Sequence, residues 1–154
     1  MSEIKIKDRV YIRKEDRKIY QDMRIKFGVL QGVENADLFL MAMFLAFEKE
    51  GKDILKKDVP TLSDGLIRLE SFSRDAWSVI KSFAIYVDET VDVLGDTNRI
   101  VEIAQTYAYY GIHILNDIYW DDEDFTVFLE NSIINKFNNE KIGLWIFSRC
   151  LYGL

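Results

Sequence analysis

Ten consecutive residues, Leu38 to Phe47, carry no polar side chain. Asn35 just before them is a good helix N-cap, and Asp37 complements the dipole of a first helical turn, so the run is expected to be helical. A helix that is apolar on every side must be buried all round. An isolated unit of about 50 residues can hardly supply that cover from its own chain. A dimer or a larger core can.

Upstream, residues 4–13 alternate as a strand does. One face would carry Ile4, Ile6, Val10 and Ile12, broken only by Asp8; the other would carry Lys5, Lys7, Arg9, Tyr11 and Arg13. The first face asks for burial and the second suits a polyanion. A lone strand also leaves its backbone N–H and C=O groups unpaired, so residues 4–12 are expected to pair antiparallel with a second copy across a two-fold axis.

Net charge is −6, a poor credential for nucleic-acid binding taken alone. Its distribution is uneven. Residues 1–27 hold nine Lys/Arg against five Asp/Glu, a net +4, while the remainder is net −10. A basic head on an acidic body makes a directional electrostatic surface. The single cysteine, Cys150, excludes an intrachain disulfide and fits a reducing compartment. No signal-peptide pattern and no apolar run near ~20 residues is present, so a cytoplasmic protein without membrane contact is expected.

After the strand, residues 13–27 read as a helix burying Ile19, Tyr20, Met23 and Phe27, with Lys14, Arg17, Lys18 and Arg24 mostly outward and Gly28 as its stop. Residues 48–58 form a charged connection closed by Val59 and Pro60, taken as a boundary. Beyond it, Ser73 opens a helix with Trp77, Ile80, Phe83, Ala84 and Val87 on one face. Asp96 or Thr97 caps another, carrying Ile100, Ile103, Ala104, Tyr107, Ala108, Gly111, Ile112, Leu115 and Ile118. A further helix starts near Asp122 with Phe125, Phe128, Leu129, Ile133 and Phe137. Gly111 is placed to let a neighbouring helix come close.

The order of strand, helix, Gly-containing turn and helix resembles the ribbon-helix-helix family. The stretch Gly32-Val-Glu-Asn-Ala-Asp-Leu-Phe-Leu-Met-Ala42 is similar to that family's Gly-x-Ser-x-Ser-Glu-φ-φ-x-x-Ala layout, where φ is apolar. It departs in having Glu34 at the turn Ser and a longer link from Gly28. The resemblance implies a two-chain β-ribbon reading the DNA major groove. More of the chain is similar to small accessory proteins of DNA phosphorothioation (Dnd-type) loci. The shared features are an Arg-containing start, a Tyr in the first helix, an apolar helix from Phe39 to Gly51, and Tyr107-Ala-Tyr-Tyr-Gly-Ile-His-Ile-Leu115. That likeness implies a setting in DNA modification or defence, with a larger protein of the same locus as partner.

Three other groups could carry chemistry. Tyr107, Tyr109, Tyr110 and His113 read as a packed aromatic face with one satisfied His, rather than an acid–base site. Asp121, Asp122, Glu123 and Asp124 are consecutive acids. Nuclease metal sites draw acids from separate elements, so these read better as an acidic N-cap and first turn. Cys150 has no Cys or His at metal-ligand spacing. No phosphate-cradling Gly loop is present.

The expected architecture is mainly α: a ribbon-helix-helix-like unit of one strand and two helices over residues 1–58, then an acidic helical body over 59–154. The expected function is that of a non-enzymatic, homodimeric, DNA-associated accessory or regulatory protein, with Lys5, Lys7, Arg9, Tyr11 and Arg13 on duplex DNA and no metal or cofactor. The alternatives are a helical protein-interaction subunit without direct DNA contact, and a small metal-dependent nuclease built on Asp121–Asp124.

Overall fold

The computed structural model describes residues 3, 5–25, 30 and 32–120, with side chains through residue 118. Its elements run β1 (Arg9–Ile12), α1 (Arg17–Ile25), α2 (Asn35–Glu50), β2 (Asp64–Arg68), α3 (Arg74–Asp88) and α4 (Thr97–Trp120), joined by loops and short 3-10 turns. The chain is mainly helical, as expected. Residues 1–116 form one compact unit and 117–154 another; the architecture below is that of the first. Among the described residues no helix is long and apolar enough to cross a membrane. The helix expected near Asp122, the Asp121–Asp124 acids and Cys150 lie outside the described residues.

Two helix starts follow directly from side-chain chemistry. Ser73 Oγ accepts from the Ala76 N–H at 3.0 Å and opens α3. Asp96 Oδ1 accepts from the Arg99 N–H at 3.0 Å and opens α4. Each satisfies an amide that the first turn leaves without an intrahelical partner. The apolar faces of both helices turn inward: Ile80, Phe83, Ala84 and Val87 from α3, and Ile100, Ile103, Ala104, Tyr107, Ala108, Ile112 and Leu115 from α4, are buried. Trp77, expected in the same core, is half-buried at its rim.

The all-apolar helix finds its cover within the chain. In α2, Leu38, Phe39, Ala42, Met43 and Ala46 are buried. Phe44 and Phe47 meet Phe83 of α3 edge-on, each at 5.5 Å between ring centres, and Phe39 lies 6.0 Å from Phe72. Gly111 of α4 sits where that helix crosses α2. A Cβ there would lie 1.6 Å from the Ala42 carbonyl oxygen, so only glycine allows the crossing. Residues beyond 58 of the same chain thus cover one side of the helix, while Leu40, Met41, Phe44, Leu45 and Phe47 remain half-buried.

β1 is not a lone strand. It pairs antiparallel with β2, a strand the sequence reading did not anticipate, with Arg9 opposite Arg68 and Tyr11 opposite Gly65, and a register irregularity between Val10 and Tyr11. The expected boundary at residue 58 thus falls between two paired strands. The other edge of β1 is closed by carboxamides of α4: Asn98 Oδ1 accepts from the Lys7 N–H at 2.7 Å, and Gln105 Oε1 from the Tyr11 N–H at 3.2 Å. The spacings match roughly, two helical turns against four extended residues, each on the order of 10–13 Å. The expected pairing of residues 4–12 with a second copy gives way on one edge to β2, and on the other the Lys7 and Tyr11 amides are taken by α4.

The helix expected over residues 13–27 begins as a 3-10 turn, Lys14–Asp16, and continues as α1 with Tyr20 and Met23 buried. Two of its cations, expected outward, hold the fold together. Arg17 grips both Asp64 oxygens at 2.7 and 2.9 Å and donates to the Gly65 carbonyl at 2.8 Å. Arg24 donates to the Val33 carbonyl at 2.8 Å.

Candidate nucleic-acid interface

Alternation along β1 does what a half-buried strand should. Val10 and Ile12 are buried, while Arg9, Tyr11 and Arg13 on the other face are partly exposed. Ile6, expected on the buried face, is 71 % exposed, because regular pairing starts only at Arg9.

The five expected contact residues are placed unequally. Lys5 is exposed, and its carbonyl accepts from Asn98 Nδ2 at 3.2 Å. Lys7 is half-buried and tied to Asn98 through its backbone. Tyr11 is half-buried over β2. Arg9 stands directly opposite Arg68, a cation the sequence reading did not single out. Gly65 makes room for the Arg9 stem, since a Cβ at that position would lie 2.5 Å from Arg9 Cδ.

Arg9 and Arg68 line an open groove of about 410 Å³ together with Asp8, Leu69 and Glu70. Among the described residues each guanidinium has only a sequence-near carboxylate for company: Arg9 Nε donates to Asp8 Oδ1 at 3.3 Å, and Arg68 Nη1 to Glu70 Oε1 at 3.5 Å. The hydrogen bond from Arg9 holds the Asp8 carboxyl below its usual range, so Asp8 is ionised at neutral pH. Both pairs are solvent-exposed and screened by water and salt, so a competing anion can displace them.

Arg13 is differently employed. Its guanidinium donates to Asp16 Oδ1 at 2.8 and 3.3 Å, and it lies 5.7 Å from the Tyr109 ring centre. Asp16 is 2 % exposed, and its second oxygen contacts His113 Nε2 at 3.2 Å. A buried carboxylate must be paired. Arg13 supplies that pairing, and the bonded carboxylate raises the Arg13 pKa further above its usual value.

Of the residues expected to form a packed aromatic face, Tyr107 is buried, while Tyr109, Tyr110 and His113 are half-buried. Tyr107 is buried edge-on against Phe83 at 4.9 Å and donates its hydroxyl to the Gly51 carbonyl at 2.9 Å; burial pushes its pKa up to about 12. Tyr109 stands edge-on to both Tyr110 and His113. Tyr20, fully buried near Asp16, has a hydroxyl with no hydrogen-bond partner among the described residues, and burial raises its pKa strongly. Among the described residues no group of three or more His, Cys, Asp or Glu side chains is placed to hold a metal ion.

Arg68 and Gly65 escaped the sequence reading because Asp64–Arg68 is too short to show alternation and contains a glycine. Asp16 escaped because charged residues surround it. Comparison with protein-family models, characterised proteins and solved structures finds no match to this chain.

Proposed function

We propose that the chain is a non-enzymatic, DNA-associated accessory or regulatory protein whose phosphate contact is built on Arg9 and Arg68. The observation that carries this reading is their opposition across the sheet. Like charges directly opposite on neighbouring strands destabilise the pairing, so stability alone gives no reason to keep both. A polyanion does. Arg is the residue whose planar fork matches phosphate oxygens, and two forks over one open groove suit adjacent backbone phosphates.

Asp8 and Glu70 shield the two guanidiniums in the free protein and are released when phosphate takes their place. Net charge over residues 28–154, Arg68 included, is −10, which opposes non-specific binding of DNA. The likeness to accessory proteins of phosphorothioation loci supports a setting in DNA modification or defence, beside a larger protein of the same locus.

The test is the Arg9→Ala/Arg68→Ala double variant, measured by fluorescence anisotropy on a labelled duplex at ~50 mM salt, where phosphate contacts are strong. The parent should bind and the variant should lose at least about tenfold, the cost of two charge-assisted contacts. Equal binding, or none by the parent, hands the role to the other reading, a helical protein-interaction subunit without direct DNA contact.

A further inference from the structure

The groove at Arg9 and Arg68 has two unlike ends. Arg9 stands opposite Arg68, and one step further out the Leu69 N–H donates to the Asp8 carbonyl at 2.8 Å. The strands run antiparallel, so Asp8, just before Arg9, and Glu70, just after Leu69, lie at the same end of the ribbon. Both carboxylates are exposed and both line the groove. Lys5 and Lys7 precede Asp8 along the arm, where their backbones are tied to Asn98, and neither lines the groove. Toward the other end Tyr11 faces Gly65 and Ile12 faces Asp64. The one acid there, Asp64, has both oxygens taken by Arg17.

A continuous DNA backbone extends in both directions from any two phosphates it presents. Laid through this groove, it would carry its next phosphate against Asp8 and Glu70, and like charges brought together cost affinity. A strand that ends at the arginines has nothing to place there. Its terminal phosphomonoester also carries about −1.5 to −2 at neutral pH, more than the single charge of an internal diester, to offset the carboxylates that the guanidiniums give up. Net charge of −6 on the whole chain further favours a ligand that touches one groove over one laid along the surface. We propose that the groove receives the phosphorylated end of a DNA strand, with the terminal phosphate and its neighbour on the two guanidiniums. The proposal rests on the reading of Arg9 and Arg68 as the phosphate contact and narrows it to one class of ligand.

The experiment is fluorescence anisotropy at ~50 mM salt on loop-labelled DNAs of one stem sequence. Three are hairpins whose free end carries a 5′-phosphate, a 3′-phosphate or hydroxyls alone, and the fourth is a closed dumbbell without an end. At least one phosphorylated hairpin should bind at least about tenfold more tightly than the hydroxyl-ended hairpin and the dumbbell. Asp8→Asn/Glu70→Gln should strengthen dumbbell binding more than binding of that hairpin, because no charge then bars the onward backbone. A free deoxynucleoside monophosphate, lacking the neighbouring phosphate, should compete at least about tenfold more weakly than the phosphorylated hairpin. Equal binding of all four DNAs, a preference unchanged by loss of both carboxylates, or equal competition by the mononucleotide overturns the proposal. Arg9→Ala/Arg68→Ala separates the two readings. Equal binding of all four DNAs that this variant loses keeps the DNA contact and removes only the preference for ends. No binding by the parent, or binding that the variant retains in full, removes the DNA reading itself.

Discussion

Arg9 and Arg13 lie four residues apart on the same expected strand face, yet the fold uses them for opposite purposes. Arg13 compensates Asp16, whose carboxylate is 2 % exposed, whereas Arg9 is paired with the exposed Asp8. Arg13→Ala should therefore destabilise the protein by about 2–3 kcal/mol, below the ~3–5 of a fully buried pair because the arginine is about a third exposed. Arg9→Ala should leave thermal unfolding within ~0.5 kcal/mol of the parent. A thermal melt of each variant checks both. Gly111→Ala should be costlier than most core overpacking, about 3 kcal/mol or more, because the obstructing atom is the Ala42 backbone oxygen and cannot swing aside. Acid should act through Asp64 and Asp88. Hydrogen bonds from Arg17 and Arg99 hold these carboxyls below their usual value of 3.8. A depressed folded-state pKa contributes stability that is present above the ordinary value and lost as pH falls through the folded one. The melting temperature should accordingly fall as pH drops below about 4, and Asp64→Asn should flatten that fall while lowering the neutral-pH value.

At the scale of elements, α3 and α4 were legible because each begins with a capping side chain and repeats its apolar residues at helical spacing over several turns. Ser73 and Asp96 cap as their chemistry requires. The all-apolar Leu38–Phe47 run called for burial all round, and the fold buries one side of it and leaves Leu40, Met41, Phe44, Leu45 and Phe47 half-buried. The run could not state who supplies the cover, since cover is a property of the faces brought against it, here α3 and α4. β2 was illegible for a different reason. Five residues, one of them glycine, show no period, and their partner lies far upstream in the chain. Closure of the second edge of β1 was equally hidden, because Asn98 and Gln105 read as ordinary polar residues of α4 until the strand lies beside them. Gln105→Ala and Asn98→Ala should each remove an acceptor from a strand amide. Hydrogen exchange should accelerate at Tyr11 in the first variant and at Lys7 in the second, with the α4 core amides unchanged. Equal acceleration throughout would mean that the carboxamides support the whole unit instead of the strand edge.

On the scale of the molecule, charge is partitioned between structure and surface. Arg13, Arg17, Arg24 and Arg99 are spent on tying elements together. Among the described residues Arg9 and Arg68 are paired only with displaceable neighbours over an open groove. The basic head read from composition is thus real as a charge count, but several of its cations serve the fold, and Arg68, which stands opposite Arg9, comes from a strand that composition did not reveal. The most direct measurement is the salt dependence of duplex affinity for the parent and for Arg9→Ala/Arg68→Ala. Each phosphate neutralised contributes ~0.9 to the slope of log affinity against log salt, so removing two cations per protomer should flatten the slope by about 2 for each protomer bound. A parent slope near zero, or a double variant with the parent's slope and affinity, would contradict the assignment of DNA contact to this pair.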